Sequence, residues 1–243
     1  LMDASTIEGL NIYSIWPGEK QALKHMDSIV MPMYKRLPDF ITIGGREIPF
    51  KPKLGLANRT TLTFPEMGSS ITVGPAGTIR FARGSTNHRV HFSEPAFYPT
   101  GTFASLKAAA EGGAPTGIIK TSYGYEAPAS RIVWESTANG RGGDWFDLVS
   151  AARYDRTSYE LHFYPWFLDP EAFLEEGSLE AKLVDRGTIE RSQEELSFIE
   201  VVHAQYNMDI TDNQLRWRRS KQLEGGDKAR QEFAEDIDTC FLT

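Results

Sequence analysis

The chain has a single cysteine, Cys240, among 243 residues. An internal disulfide and a cysteine-based zinc site are therefore excluded, and a reducing, intracellular setting fits. No apolar run reaches the roughly 18 residues that a membrane span requires, and no secretory signal opens the chain. Basic charge is short as well: 26 Lys and Arg stand against 33 Asp and Glu, for a net charge of −7. That balance argues against a general nucleic-acid binder, while leaving room for local basic strips. Internal repeats and low-complexity tracts are lacking too. What is present is ordinary globular usage, 40 % hydrophobic and 24 % charged. The length suits one large α/β domain, or one domain with an appended subdomain, and can bury a core without staples. Leu1 precedes Met2, and the last residues are Cys240-Phe241-Leu242-Thr243. Both ends read as cuts, with Met2 as a true start behind a tag residue the alternative.

Residues 9–16 carry Leu10, Tyr13 and Ile15 and stop at Pro17-Gly18, as a strand should. A helix is expected over 19–36, with Pro32 breaking or kinking it before its last turn. Residues 38–60 read as loop, with Pro38, Pro49, Pro52 and a Gly44-Gly45 turn. Strands follow at 60–64, 70–73, 78–82 and 89–92, then a helix over 102–111. Residues 118–121 read as a strand or an insertion arm, and 131–135 as a clearer strand. A helix over 144–153 and a last strand over 161–167 complete the series. Beyond 170 the pattern turns charged and helical. Thr211 with Gln214 three residues on makes a capping box, flanked by Ile210 and Leu215 as a hydrophobic staple. The order predicts a mixed α/β sheet with a helical tail.

Two strand ends and one loop carry residues suited to phosphate chemistry. Strand 89–92 runs into Ser93-Glu94-Pro95. Ligands of open α/β sheets bind beyond the carboxyl ends of strands, where a carboxylate is placed to orient water attacking a phosphate. Strand 131–135 runs into Ser136-Thr137-Ala138-Asn139-Gly140. Small hydroxyl and amide side chains can donate to a terminal phosphate, and Gly140 permits a tight turn. Arg83, in the loop before the first of these strands, could stabilise transition-state charge as an arginine finger. Taken singly, each has a plain alternative: an exposed strand-end Glu, a polar turn, a solvated loop arginine.

Taken together, these segments resemble the motor domain of phage terminase large subunits over roughly residues 60–243. His91-Phe92-Ser93-Glu94-Pro95-Ala96-Phe97-Tyr98-Pro99 looks like that family's second ATPase motif. Glu135-Ser136-Thr137-Ala138-Asn139-Gly140, with Gly143, Trp145 and Phe146 behind it, looks like its coupling motif. Phe163-Tyr164-Pro165-Trp166-Phe167 resembles the strand end that follows, and Ile210–Arg219 a linker-subdomain helix, with weaker matches at Gln231-Glu232-Phe233 and Cys240-Phe241. The resemblance implies a P-loop NTPase-like α/β fold of the ASCE type. It would have a mixed, mainly parallel sheet incomplete at the N-terminus, a partial ATPase domain over 1–169 and a helical linker subdomain over 170–243. It implies Glu94 as the catalytic glutamate and Arg83 as a finger offered to a neighbouring subunit. Ser93, Ser136, Thr137 and Asn139 would be nucleotide-site residues, with no protein metal ligand assigned. ATP and Mg²⁺ would serve the intact parent. Double-stranded DNA, a portal protein, a terminase small subunit and further copies in a ring would be its partners, in the host-cell cytoplasm and away from membranes.

The sequence departs from the family at defined places. Gly-x-x-x-x-Gly-Lys-Ser/Thr is missing, so the phosphate loop is expected upstream of residue 1 and the acidic nuclease cluster beyond residue 243. Ser93 stands where many P-loop enzymes have Asp, which supports Mg²⁺. The fragment alone is therefore expected to be inactive. The alternative is a non-catalytic ATPase-like module that binds a portal or motor partner; a helicase-like ATPase lacks its Asp-Glu-x-Asp or His box here.

Other clusters read more simply. His88, His91, His162 and His203 need not converge on a metal. Glu171, Glu175, Glu176 and Glu180 read as a solvated acidic face. Arg216, Arg218, Arg219 and Lys221 read as an ordinary surface helix rather than a DNA contact. The aromatic run 159–167 reads as a buried strand rather than a base-stacking platform, and Cys240 has no His partner nearby.

Overall fold

The structure, a computed structural model, describes residues 2–78, 85–185 and 190–242. It divides into two compact units, Leu1–Ser136 and Thr137–Thr243. The boundary expected at 169/170 falls inside the second unit.

The first unit opens with α1 (Met2–Thr6) and β1 (Asn11–Trp16). Then come α2 (Glu19–His25), a π-helical turn (Met26–Val30) and α3 (Met31–Arg36). The helix expected over 19–36, broken or kinked at Pro32, thus runs to Arg36 in three helical pieces. Pro32 falls in the first turn of α3, where a missing N–H costs least, and the wider π turn precedes it. The expected loop over 38–60 contains a hairpin, β2 (Phe40–Ile43) and β3 (Arg46–Pro49), closed by Gly44-Gly45 with both glycines at positive φ. Next come β4 (Thr61–Phe64), β5 (Ser69–Pro75), β6 (Arg89–Ser93) and α4 (Phe103–Gly112). The insertion arm is a short hairpin, β7 (Ile118–Lys120) and β8 (Glu126–Pro128), before β9 (Arg131–Glu135). The strand expected over 78–82 lies, beyond Thr78, outside the described residues.

Five of the described strands form one mixed sheet in the order β4-β5-β1-β6-β9. β5, β1, β6 and β9 run parallel, and β4 pairs antiparallel to β5. The mainly parallel α/β architecture expected from the sequence is thus present. Alternation along β1 divides the core. Ile12 and Trp16 pack with Ala22, Met26 and Val30. Ile15, Val90 and Phe92 pack with Leu106 and Ala110 on the other face. There Trp134 stacks between Phe92 (3.7 Å between centroids) and Phe103 (4.8 Å). β9 is the last strand of the sheet among the described residues, and its Val133 is 43 % exposed. Burial alternates along β9, with Arg131, Val133 and Glu135 exposed and Ile132 and Trp134 half-buried.

The second unit is helical: α5 (Gly143–Arg153), α6 (Leu179–Asp185), α7 (Gln193–Tyr206), α8 (Asp212–Gly225) and α9 (Ala229–Glu232). The Thr211/Gln214 capping box forms, and Ile210 and Leu215 are both buried in one cluster. A second box, Ser192/Glu195, starts α7. The strand expected over 161–167 does not form. Residues 161–165 are irregular and Trp166–Leu168 make a 3₁₀ turn. Pro165 cannot donate to a ladder, and the Trp166 N–H goes to Ala234 O (3.1 Å). Trp166 and Phe167 bury instead among Val202, Ile210 and Leu215, with Trp217 stacked on Trp166 at 4.8 Å. The cations expected on an ordinary surface helix are engaged by carboxylates, and Arg216 and Arg218 are buried.

Cys240 is buried beside Ala138, Val149 and Phe241. Burial, reinforced by the charge of Asp236, pushes its thiol up to about 11. The thiolate is the reactive form, so at pH 8 the folded protein should react with a thiol reagent about 100-fold more slowly than the urea-unfolded chain. Equal rates in a stopped thiol assay would show that this cluster opens freely.

Candidate functional site

The first unit gathers its reactive side chains at the carboxyl ends of β1, β6 and β9. In these strands residues of one parity share a face. Ser14, Trp16, His91, Ser93 and Glu135 lie on that common face, because Ser14 pairs with His91 and Ser93 with Glu135. The opposite parity is apolar and faces α4. One sheet edge thus presents a polar row above a packed core.

Glu94 stands at the tip of β6 with φ 54° and ψ 48°. This left-handed conformation costs a non-glycine residue about 1 kcal/mol or more. It is doubly unusual before a proline, which favours extended backbone in its predecessor. Hydrogen bonds hold it. The Glu94 N–H donates to Glu135 O (2.7 Å), the Phe97 N–H donates to Glu94 O (3.0 Å), and the Ser136 hydroxyl donates to Glu94 Oε2 (2.9 Å). Glu94 and Ser136, assigned from separate motifs, therefore meet in space. Ser93 precedes them, almost fully buried.

A second chain of contacts lies beside this pair. The Trp16 indole N–H donates to Ser14 Oγ (2.9 Å). Ser14 Oγ lies 3.3 Å from His91 Nδ1, and His91 Nε2 lies 3.2 Å from Glu135 Oε1. The tautomer that satisfies all three carries its proton on Nε2, donating to Glu135 and accepting from Ser14. His25 packs on Trp16 (4.6 Å between centroids). Burial, then the nearby His91, pulls the His25 imidazole below its usual value, against an opposing pull from Glu135. The Tyr98 hydroxyl donates to Ile15 O (2.8 Å). Burial first, then the charges of Glu135 and Glu94, raises that phenol far above its ordinary range, so Tyr98 is a fixed neutral wall.

The remaining assigned residues stand apart from this description. Thr137 and Asn139 belong to the second unit, in an irregular stretch ahead of α5, with Thr137 half-buried and Asn139 exposed. Gly140, at φ 74°, follows them, and the Arg141 N–H is anchored on Leu242 O (2.8 Å). Arg83 lies outside the described residues. Of the histidines, His88 accepts the Asn11 N–H (3.1 Å) and His203 meets Asp209 (3.0 Å). Among the described residues no three His, Cys, Asp or Glu side chains are grouped to hold a metal.

The motif reading did not bring out Ser14, Trp16 or His25, and it gave His91 and Glu135 no role in the site. A signal for them exists. In Arg89-Val90-His91-Phe92-Ser93 the even positions are apolar and the odd ones polar, which marks a strand with one polar face toward its end.

The fold and site define an α/β protein with a strand-end carboxylate site. Comparison with protein-family models gives no match, and no curated protein matches the sequence. No helix among the described residues is long and apolar enough to cross a membrane.

Proposed function

We propose that the chain is part of the ATP-driven motor of a phage terminase large subunit, and that the strand-end site is the hydrolytic half of its nucleotide site. The observation that carries this reading is the Ser136–Glu94 hydrogen bond (2.9 Å). It joins the residue expected to orient water with the first residue expected to sense the terminal phosphate. In this reading the Ser136 hydroxyl holds the Glu94 carboxylate until a phosphate oxygen competes for that donor. Released, Glu94 turns its carboxylate to the water in line with the terminal phosphorus. Water oxygen bonds to phosphorus, the bond to the leaving ADP oxygen breaks, and inorganic phosphate departs with the water's protons shared between it and solvent. Ser136 thereby couples phosphate arrival to activation of the site.

The exposed β9 edge supports the same reading. A phosphate-loop strand supplied by the parent chain would pair there and cover Val133. The oxygen donors Glu94, Glu135 and Ser93 suit Mg²⁺ chemically. Ser93 is neutral, so of these only the two carboxylates would offset the charge of an ion held with the triphosphate. When bound, it neutralises phosphate charge.

The test is ATP turnover by the protein with its native upstream segment restored, beside the Glu94→Gln variant. A loss of about 100-fold or more is expected. Equal turnover would remove Glu94 from this role. Absence of turnover in both folded proteins, even when assembled with portal and DNA, would favour the non-catalytic module.

A further inference from the structure

Six asparagines occur in the chain, and Asn139 is the one followed by glycine. Asparagine is thermolabile, because the backbone nitrogen after it can attack its side-chain carbonyl carbon. A side chain on the following residue crowds that approach, and glycine has none. Asn139 is exposed in the irregular stretch ahead of α5, and the Gly140 N–H makes no hydrogen bond to another described residue. The attacking nitrogen is thus unencumbered.

The other five asparagines differ in both respects. Each is followed by a long or bulky side chain: Ile12, Arg59, His88, Met208 and Gln214. Asn11 lies in β1 and Asn213 in the first turn of α8. Asn87 is fully buried, its Nδ2 donating to Ala109 O (2.9 Å). Asn58 Oδ1 accepts the N–H groups of Thr60 and Thr61 (2.9 and 2.7 Å). Asn207 is exposed at the end of α7, ahead of Met208, and is the natural comparison.

The neighbours of Asn139 set the consequence of losing its amide. Ala138, just before it, is buried with Val149, Cys240 and Phe241. Just after Gly140, the Arg141 N–H donates to Leu242 O (2.8 Å). The Arg141 guanidinium also donates to Phe241 O and Asp238 O (3.0 Å each). Asn139 and Gly140 therefore bridge two anchored residues, and both anchors lead to the segment that carries Cys240.

We propose that Asn139 is a self-modification site, which converts to isoaspartate and thereby loosens the cluster around Cys240. The Gly140 nitrogen gives its proton to solvent and bonds to Asn139 Cγ. The bond from Cγ to the side-chain nitrogen breaks, and ammonia leaves with a proton taken from solvent. Water then opens the resulting succinimide ring. Opening at Cγ gives aspartate; opening at the backbone carbonyl carbon routes the chain through the side chain and gives isoaspartate. In sum, asparagine and water yield the acid and ammonia, with no other reactant. Isoaspartate lengthens the backbone by one methylene between Ala138 and Arg141, and the anchored ends must absorb it. On the motor reading, the new carboxylate would in addition repel the terminal phosphate that Asn139 is expected to sense; the conversion itself does not rest on that reading.

The full chain is aged in mildly alkaline buffer, folded and in urea, and digested at intervals beside a fresh sample. Trypsin cuts after Arg131 and Arg141 and releases residues 132–141, in which Asn139 is the one asparagine. Tandem mass spectrometry reads the amide-to-acid change, and labelling by an isoaspartyl methyltransferase reads isoaspartate. In the folded protein Asn139 should convert about tenfold faster than Asn207 or more, with isoaspartate the larger product, and the Asn139→Gln variant should leave this peptide unchanged. The converted fraction, separated from fresh protein by its added negative charge, should react at Cys240 with a thiol reagent about tenfold faster than fresh protein. Asn139→Asp carries the same charge without the longer backbone and should stay within about twofold of fresh protein. Conversion of Asn139 in urea but not in the folded chain would overturn the proposal, as would conversion no faster than that of Asn207. Equal Cys240 labelling of converted and fresh protein would overturn the loosening, and so would Asn139→Asp labelling as fast as the converted fraction. None of these readouts involves ATP, so this inference and the motor reading fail separately.

Discussion

Arg218→Ala should destabilise the helical unit by about 3–5 kcal/mol, the usual consequence of removing one member of a buried ion pair. The side chain of Arg218 is 6 % exposed. Its Nε and Nη2 donate to the two oxygens of Glu235 (2.6 and 3.0 Å), and Nη2 also reaches Glu194 (3.0 Å). The guanidinium further lies 4.8 Å from the Phe198 ring centroid. Burial alone would lower the Arg218 pKa, yet the hydrogen bonds and charges of Glu235, then Glu194, hold it above its ordinary value. Truncation removes the cation but leaves Glu235, only 27 % exposed, with the Trp166 indole N–H at 3.3 Å as a much weaker partner. The loss therefore includes a carboxylate stranded in a poor solvent as well as the pair itself. Urea unfolding followed by tryptophan fluorescence measures it, since Trp166 and Trp217 sit in the same cluster. Lys221→Ala is the internal comparison. Its contact with Glu224 (2.8 Å) joins α8 residues three apart, and Glu224 is 61 % exposed, so a change below about 0.5 kcal/mol is expected. A similar small change at Arg218 would mean that its pairs are interchangeable with solvent.

These arginines also show where sequence reasoning ran out. Helical spacing correctly placed Arg216, Arg218 and Arg219 on one helix, but it could not say what faced them. Their partners come from distant segments: Asp185, Glu194, Glu195 and Glu235. A run of cations therefore looks solvent-facing until the chain folds back. The opposite error arose at 161–167. Its aromatics suggested a strand, yet a strand needs a neighbour, and here the rings found a helical cluster instead. Local rules did best where the determinant is itself local. The Thr211/Gln214 box is three residues long and formed as read. β1, β6 and β9 were legible from composition and turn residues, and their parallel pairing is long-range. In the candidate site the same division holds. Glu94 and Ser136 were legible from motifs at two strand ends. The relay from Trp16 through Ser14 and His91 to Glu135 was not, because it depends on the register of three strands.

At Glu94, glycine and alanine should reverse their usual order of stability. In ordinary extended or helical backbone, alanine is favoured over glycine by roughly 0.5–1 kcal/mol, because glycine loses more entropy on folding. At φ 54°, ψ 48° the Cβ of alanine meets a penalty of about 1–2 kcal/mol that glycine escapes. Glu94→Gly should thus leave the first unit about 1 kcal/mol more stable than Glu94→Ala. Both lose the bond from Ser136, so that contribution cancels in the comparison. Thermal or urea unfolding of the two variants decides the matter. If alanine is the more stable, the left-handed turn before Pro95 carries no strain. The catalytic expectation runs the other way and is larger. With the upstream segment restored, glycine and alanine at this position should each lose ATP turnover about 100-fold or more, as glutamine should, because none supplies a carboxylate to orient water. A glycine variant that folds at least as firmly as the alanine one and turns over nothing would separate the two demands on the position. The backbone there favours glycine; on the proposed function the chemistry calls for glutamate. On the proposed function, a residue held against its own conformational preference at a strand end, beside a second carboxylate and a hydroxyl donor, carries the strain expected of a reaction site.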